Sequence, residues 1–230
     1  MNVFLDAISL LTSTDSDLLE IVGLSLWVSL IAVFIATSVG IPLGAATALY
    51  KFPGRKFLVV LLNSLMGLPP VVVGLIVYLL LSRSGPFGVL GLLFSPTAMI
   101  IAQTILIIPI ISALSRQIID DLWIEYAEQL LSLGATPYRC IKTLIWDGRF
   151  TLLTAVLAGF GRATAEVGAV MIVGGNIDHV TRVMTTSITL EVSRGNLSLA
   201  LGLGIVLLTL SLSINAAAYL LKEFAESRQI

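Results

Sequence analysis

Two charged side chains, Arg162 and Glu166, stand alone inside an otherwise uncharged run from Phe150 to about Ile172. Their i, i+4 spacing puts them on one face of a helix, within reach of each other. A charge at membrane depth costs about 2.5–3.5 kcal/mol even on the lenient insertion scale, so both must face protein or water, and each helps to neutralise the other. The pair is then either a structural bolt in a bundle or the wall or gate of a polar pathway, and spacing alone leaves both open. Little else in the chain suggests chemistry. No nucleophile–base or paired-carboxylate arrangement stands out, so no catalytic residue is assigned. The phosphate-cradling pattern GxxxxGK[ST] is absent, so this chain is not expected to hydrolyse ATP itself. His179 is the only histidine; with no second His and no Cys nearby it reads as solvated, and no metal site is expected.

A second concentration of charge runs from Asp120 to Arg149, with Asp120, Asp121, Glu125, Glu128, Arg139, Lys142, Asp147 and Arg149 set among apolar residues. Trp123, Ala127, Leu130 and Leu131 recur at helical spacing. Gly134 stands where a helix stops, because it takes positive φ without strain. Thr136 offers an N-cap oxygen and Pro137 suits the first turn of the next helix. This stretch therefore predicts two short helices joined at a glycine elbow, outside the membrane.

The elements around these residues are membrane helices. Of the 230 residues, 57% are hydrophobic and only 12% charged, with a mean hydropathy of +1.02; a soluble domain carries roughly 25% charged residues. A net charge of −1 gives no reason to expect a nucleic-acid partner. The single Cys140 forms no internal disulfide. The first 20 residues hold no Lys or Arg, so a cleavable signal with a basic start is not expected. They are too short to span a bilayer, and Phe4, Ala7, Ile8 and Leu11 suggest one face of an interfacial helix. Asp17 and Glu20 have the spacing of a capping box opening the next helix.

Five spans follow, at about 20–50, 57–82, 96–118, 150–173 and 197–222, with the polar hairpin at 120–149 and a polar loop at 174–196. The first exceeds one span, so tilt or a kink near Pro42 is expected. The second is interrupted by "GLPPVVVG", where Pro69 and Pro70 remove two backbone donors. The third contains Pro109. The loop at 174–196 carries Thr181, Thr185, Thr186, Ser187, Thr189 and Ser193, hydroxyls that suit a fully oxygenated dianion and equally any polar loop. Lys51, Arg55, Lys56, Arg116, Arg139, Lys142, Arg149, Lys222 and Arg228 collect on one side, against Arg83, Arg182 and Arg194 on the other. That bias places the hairpin and the C-terminus in the cytoplasm, and the N-terminus and the loop at 174–196 outside.

Several of these stretches together resemble one family. The hairpin is similar to the cytoplasmic coupling motif of binding-protein-dependent ABC importer permeases: Glu128 lies six residues before Gly134, and "LGAT" at 133–136 matches. Gln129 and Leu130 stand where alanines are usual, and Trp146-Asp147 where Leu-Pro is usual. "LPPVVVG" at 68–74 resembles the second-span motif of molybdate, tungstate and sulfate importers. "GFGRATAEVGAVMIVGGNI" at 159–177 resembles their fourth-span motif, with Phe160, Arg162, Ala163, Glu166, Gly168 and Ala169 matching, Ala165 in place of Gly and Val167 in place of Phe. "TRVMTTSITLEVSRGN" at 181–196 is most similar to the tungstate branch. The likeness covers about residues 20–222 in order.

The resemblance implies an all-α integral membrane protein of the type I importer permease fold, with 1–230 forming one transmembrane domain of the cell inner membrane. It implies a non-catalytic subunit that forms an oxyanion pathway, for tungstate first and molybdate or sulfate as the alternative. The implied partners are a second copy of the chain, two cytoplasmic ATPase subunits and an external binding protein. The chain then binds no cofactor, since ATP and Mg belong to the ATPase. The implied coupling residues are Glu128, Leu133, Gly134, Ala135 and Thr136. The implied pathway or gate residues are Arg162, Glu166, Pro69, Pro70, Thr185 and Thr186. A stand-alone secondary carrier or an integral membrane enzyme is the alternative of another class. A carrier typically shows paired repeats and ionisable groups in several spans, whereas here one span holds both charges and no repeat is visible.

Overall fold

The computed structural model describes residues 16–226, all of whose regular elements are helical. Phe4, Ala7, Ile8 and Leu11, the expected interfacial face, lie outside them. Helix α1 is Ser16–Leu49, α2 Arg55–Leu65, α3 Pro70–Leu81, α4 Pro96–Ser132, α5 Pro137–Asp147, α6 Arg149–Thr164, α7 Gly168–Gly174, α8 Met184–Ser193 and α9 Leu197–Glu226.

Helix α1 runs unbroken for 34 residues with Pro42 inside it. Three of its hydroxyls bond back to its own carbonyls, Ser25 to Ile21, Ser38 to Phe34 and Thr47 to Leu43, which satisfies those polar groups in an apolar environment. The described part of the helix opens at Ser16, with Asp17 in its first turn. The expected second span is two helices, α2 and α3, with a break between Leu65 and Pro70. Pro69 caps α3 and Pro70 is its first residue; the Val72 and Val73 amides turn back to the Pro69 carbonyl. The missing proline donors make the break.

Helix α4 corrects the expectation of two short hairpin helices. It runs from Pro96 to Ser132 as one rod of 37 residues, so the third span continues directly into the first arm of the hairpin. At ~1.5 Å per residue it is about 55 Å long, well beyond the ~30 Å hydrocarbon core. After Pro109 nothing interrupts it until Gly134, and Arg116 and Asp120 pair along its side. The expected fourth span is also two pieces, since α6 stops at Thr164 and α7 starts at Gly168. The loop at 174–196 contains the helix α8, its start closed by the Thr186 hydroxyl accepting from the Val183 amide.

Among the described residues three helices, Ser16–Leu49, Pro96–Ser132 and Leu197–Leu220, are long and apolar enough to cross a membrane; the number reaches five if α2–α3 and α5–α6 each count as one bent span.

The chain divides into two compact units. One comprises residues 16–32, Pro69–Gln103 and Gly161–Asn215. Within it α3 lies directly on α7: a Cβ at Gly74 would stand 2.7 Å from the Ala169 Cα, and one at Gly168 would stand 2.8 Å from the Val71 Cγ2. Only glycine permits that approach. The other unit comprises Val33–Leu68, Thr104–Phe160 and residues 216–226. Here α1 meets α4 through Gly40 and Gly44: a Cβ at Gly44 would stand 2.5 Å from the Ser112 carbonyl. Beside this contact Ala45, Ala48, Ile119, Leu144 and Leu152 form a buried core shared by α1, α4, α5 and α6.

Candidate functional site

Two places have the features of a site, one in each unit. The first is the break between α6 and α7. Its backbone turns without positive φ: the Ala165 amide bonds the Gly161 carbonyl and the Glu166 amide bonds that of Ala163. The Glu166 carboxylate then takes over a capping task, its Oε1 accepting the Ala169 amide at 3.0 Å, one of the donors a helix start leaves unmet. Its Oε2 lies 3.7 Å from the Arg162 Nε. Glu166 is 4% exposed and Arg162 30%, so the pair is asymmetric: the acid is buried and the arginine is partly exposed. The Thr185 hydroxyl donates to the Glu166 carbonyl at 3.0 Å, tying α8 to the break.

Arg162 and Glu166 line an open pocket of about 300 Å³ with Pro70, Val71, Ala165, Val167 and Gly168. The structure thus gathers Pro70, Arg162 and Glu166 into one wall, with Thr185 bonded behind it. Pro69 stands next to that wall as the α3 cap. Thr186 is elsewhere: it is buried and bonds Asn176 at 2.9 Å. Thr181 is buried too, donating to the Gly174 carbonyl and accepting the Ile177 amide. These hydroxyls are consumed by the fold of their own segment. His179, read as solvated, is exposed but contacts Glu20 at 2.8 Å.

Glu166 also lines a small cavity of about 20 Å³ with Ser25, Ser29, Gln103, Thr164 and Thr185, room for about one water molecule. Gln103 donates to the Ala163 carbonyl at 3.2 Å, while its buried Oε1 has no protein partner. Sequence reasoning missed Gln103, Ser25 and Ser29. Their signal was isolated polar residues in apolar runs, with the two serines at i, i+4.

The second place is the elbow. Gly134 has φ +69. Its amide bonds the Leu131 carbonyl, and the Ala135 amide bonds that of Leu130, both at 3.0 Å, the paired closure of a left-handed helix end. Thr136 occupies the N-cap position of α5 and Pro137 its first residue, but the Thr136 side chain makes no capping bond. Glu128, Leu133, Gly134 and Thr136 are exposed and Ala135 is half-buried. Leu133 at the tip is 81% exposed, with Ile124, Leu131, Tyr138 and Trp146 also exposed nearby in sequence. Exposed large apolar side chains on a charged hairpin call for a partner. The hairpin is stiff behind that tip: Leu144 and Cys140 of α5 are buried, and Leu144 belongs to the core with Ala45 and Ile119. The Arg149 guanidinium lies over the Trp146 and Phe150 rings at 4.7 and 4.4 Å.

No group of three or more His, Cys, Asp or Glu side chains suited to a metal ion occurs among the described residues.

Residues 40–227 match the family described as binding-protein-dependent transport system inner membrane component. The chain is 43% identical over 220 residues to the tungstate uptake system permease protein TupB of Peptoclostridium acidaminophilum, covering 96% of each chain. It is 39% identical over 185 residues to a probable anion ABC transporter permease protein of Haloferax volcanii, covering 78% of this chain and 80% of that one. It is 35% identical over 195 residues to the tungstate uptake system permease protein TupB of Campylobacter jejuni, covering 85% and 82%.

Proposed function

The chain belongs to the family of binding-protein-dependent transport system inner membrane components, and on that premise we propose that it is the transmembrane subunit of an ATP-driven importer of tungstate. The observation that carries this reading is the elbow: an exposed apolar tip, Leu133-Gly134-Ala135, on a hairpin whose other face is locked into a buried core. A passive loop has no need of an exposed leucine on a stiff arm. A lever that seats in a groove of an ATPase subunit needs both. Glu128 and Thr136 flank the tip as further contact residues.

Two copies of the chain, two cytoplasmic ATPase subunits and one external binding protein complete the machine. This subunit does no covalent chemistry; ATP and Mg sit on the ATPase. Pro69, Pro70, Arg162, Glu166 and Thr185 line or support the pathway. A partly exposed Arg162, half neutralised by Glu166, attracts a dianion without holding it, which suits passage rather than storage. Tungstate is supported by the two relatives bearing that name and by the resemblance of residues 181–196. Molybdate, a tetrahedral dianion of nearly the same size, is the second reading.

Gly134→Val tests the elbow. Nothing lies within 4 Å of the place a Cβ would take, so the substitution is penalised chiefly through its positive φ, by ~1–3 kcal/mol. The expected outcome is a permease present in the membrane in normal amount, whose reconstituted complex no longer links ATP hydrolysis to tungstate uptake. Wild-type values of both activities would make the elbow a passive loop. Orientation is tested with introduced thiols. Cys140 is buried, so its silence would not report sidedness. Ser193→Cys should react with an impermeant reagent in intact cells and Ser132→Cys should not; the reverse pattern inverts the topology.

A further inference from the structure

A three-member charge cluster lies behind the elbow, in the same unit. Asp120, on α4, pairs through Oδ2 with Arg116 one turn earlier, and through Oδ1 with the Arg55 Nη2 at 3.5 Å. Arg55 opens α2, and its guanidinium also closes the end of α1, with Nε donating to the Thr47 carbonyl at 2.6 Å and Nη2 to the Ala48 carbonyl at 3.0 Å. These are carbonyls that a helix end leaves without intrahelical donors. One arginine therefore holds the last turn of α1 and the α4 rod together. The backbones of α1 and α4 already touch at Gly44, and Ala45 and Ala48 share their core with Leu144 of the hairpin.

The exposure of the cluster bears on its purpose. The three side chains are between 22% and 32% exposed, and partly solvated pairs contribute little to stability. Hydrophobic packing and the glycine contact are sufficient to hold α1 on α4. What the charges add is direction: they fix the corner between α1 and α2 to the rod that ends in the elbow, so that a push on the hairpin moves that corner instead of sliding past it. The same α1 presents Ser25 and Ser29 to the small cavity beside Glu166.

We propose that Asp120 is the positioning residue of energy coupling, joining the α1–α2 corner to the α4 rod so that displacement of the hairpin is delivered to α1. The inference rests on the hairpin being the ATPase contact. It is tested in the complete reconstituted complex with Asp120→Asn, Asp120→Glu and Arg55→Gln beside Gly134→Val, reading membrane amount, thermal unfolding, ATP hydrolysis and tungstate taken up per ATP. Asp120→Asn and Arg55→Gln should assemble fully and still hydrolyse ATP, with uptake per ATP reduced about fivefold or more, the lower range of an ordinary coupling free energy. Asp120→Glu should restore most of it. Wild-type uptake per ATP in Asp120→Asn, with Gly134→Val uncoupled, would overturn the inference and leave the hairpin reading standing. Wild-type behaviour in all the variants would overturn both. Failure of Asp120→Asn to assemble would show a merely structural cluster and also overturn the inference.

Discussion

The elbow and the charged break solve the same problem in opposite ways. Each stops a helix and restarts another within a few residues. At 133–136 the turn is made chiefly by backbone: Gly134 at φ +69 and two amides folded back, with only a long contact from the buried Cys140 Sγ to the Ala135 carbonyl beside them. At 165–167 the turn uses no left-handed residue, and a buried carboxylate holds the new helix by its amide. The first turn therefore leaves the side chains at its tip, Leu133 and Thr136, available to a partner. The second has spent its side chain on itself. A substitution at the elbow should cost function before stability, and one at the break should cost both together.

The largest effect is expected where a charge would be left alone. Arg162→Ala strands Glu166, 4% exposed; loss of one member of a buried pair costs ~3–5 kcal/mol. We expect low yield and a lowered unfolding temperature in detergent. Adding Glu166→Gln should recover more than adding Glu166→Ala, because the amide keeps an acceptor for the Ala169 amide. Equal recovery by the two would mean that the capping bond contributes nothing and that the break is not side-chain-made.

Gly134→Val is the matching measurement on the other region. Its strain of ~1–3 kcal/mol falls on a solvent-exposed turn, so global unfolding should shift far less than in Arg162→Ala while coupling is abolished. Parallel loss of stability and coupling would erase the contrast.

How far each region was legible follows from the same contrast. The elbow was readable because glycine and proline declare backbone geometry locally: Gly134 as the stop and Pro137 as the restart are both where the pattern put them. The Arg162–Glu166 pair was readable because charge in an apolar run is rare. What the pair does was not, since the Glu166 bond to Ala169 depends on a helix break that no Pro or charged run announces. The length of α4 was misjudged because polarity was taken as an end of helix, whereas only the backbone ends one. The loop hydroxyls looked like ligand donors, and Thr181 and Thr186 instead bond Gly174 and Asn176, partners that sequence alone does not assign. Arg116 and Asp120 stood at i, i+4, but the link to Arg55, 65 residues away, is visible only in three dimensions.

The smallest effect should separate the regions by pH. The only histidine, His179, lies in the segment before α8, in the unit that holds the break, and the elbow has no counterpart. Its Nδ1 contacts the Glu20 Oε2 at 2.8 Å. That hydrogen bond first, then the charges of Glu20, Asp178 and Asp17, raise its pKa above the ordinary 6.5, against a slight opposing effect of burial. Arg182, the nearby cation, is engaged with Asp178 at 2.5 Å. A folded-state pKa above the unfolded value means that the protonated ring favours the folded chain. The contribution is complete below about pH 6.5 and disappears as pH rises through the raised value. Unfolding temperature should therefore fall slightly over that interval. His179→Asn is the suitable variant, because His179 has φ +55 and Asn tolerates that conformation best among side chains that do not titrate. It should flatten the pH dependence while leaving Gly134→Val with the wild-type slope. An unchanged slope in His179→Asn would show that the Glu20 contact does not persist in the membrane-embedded protein.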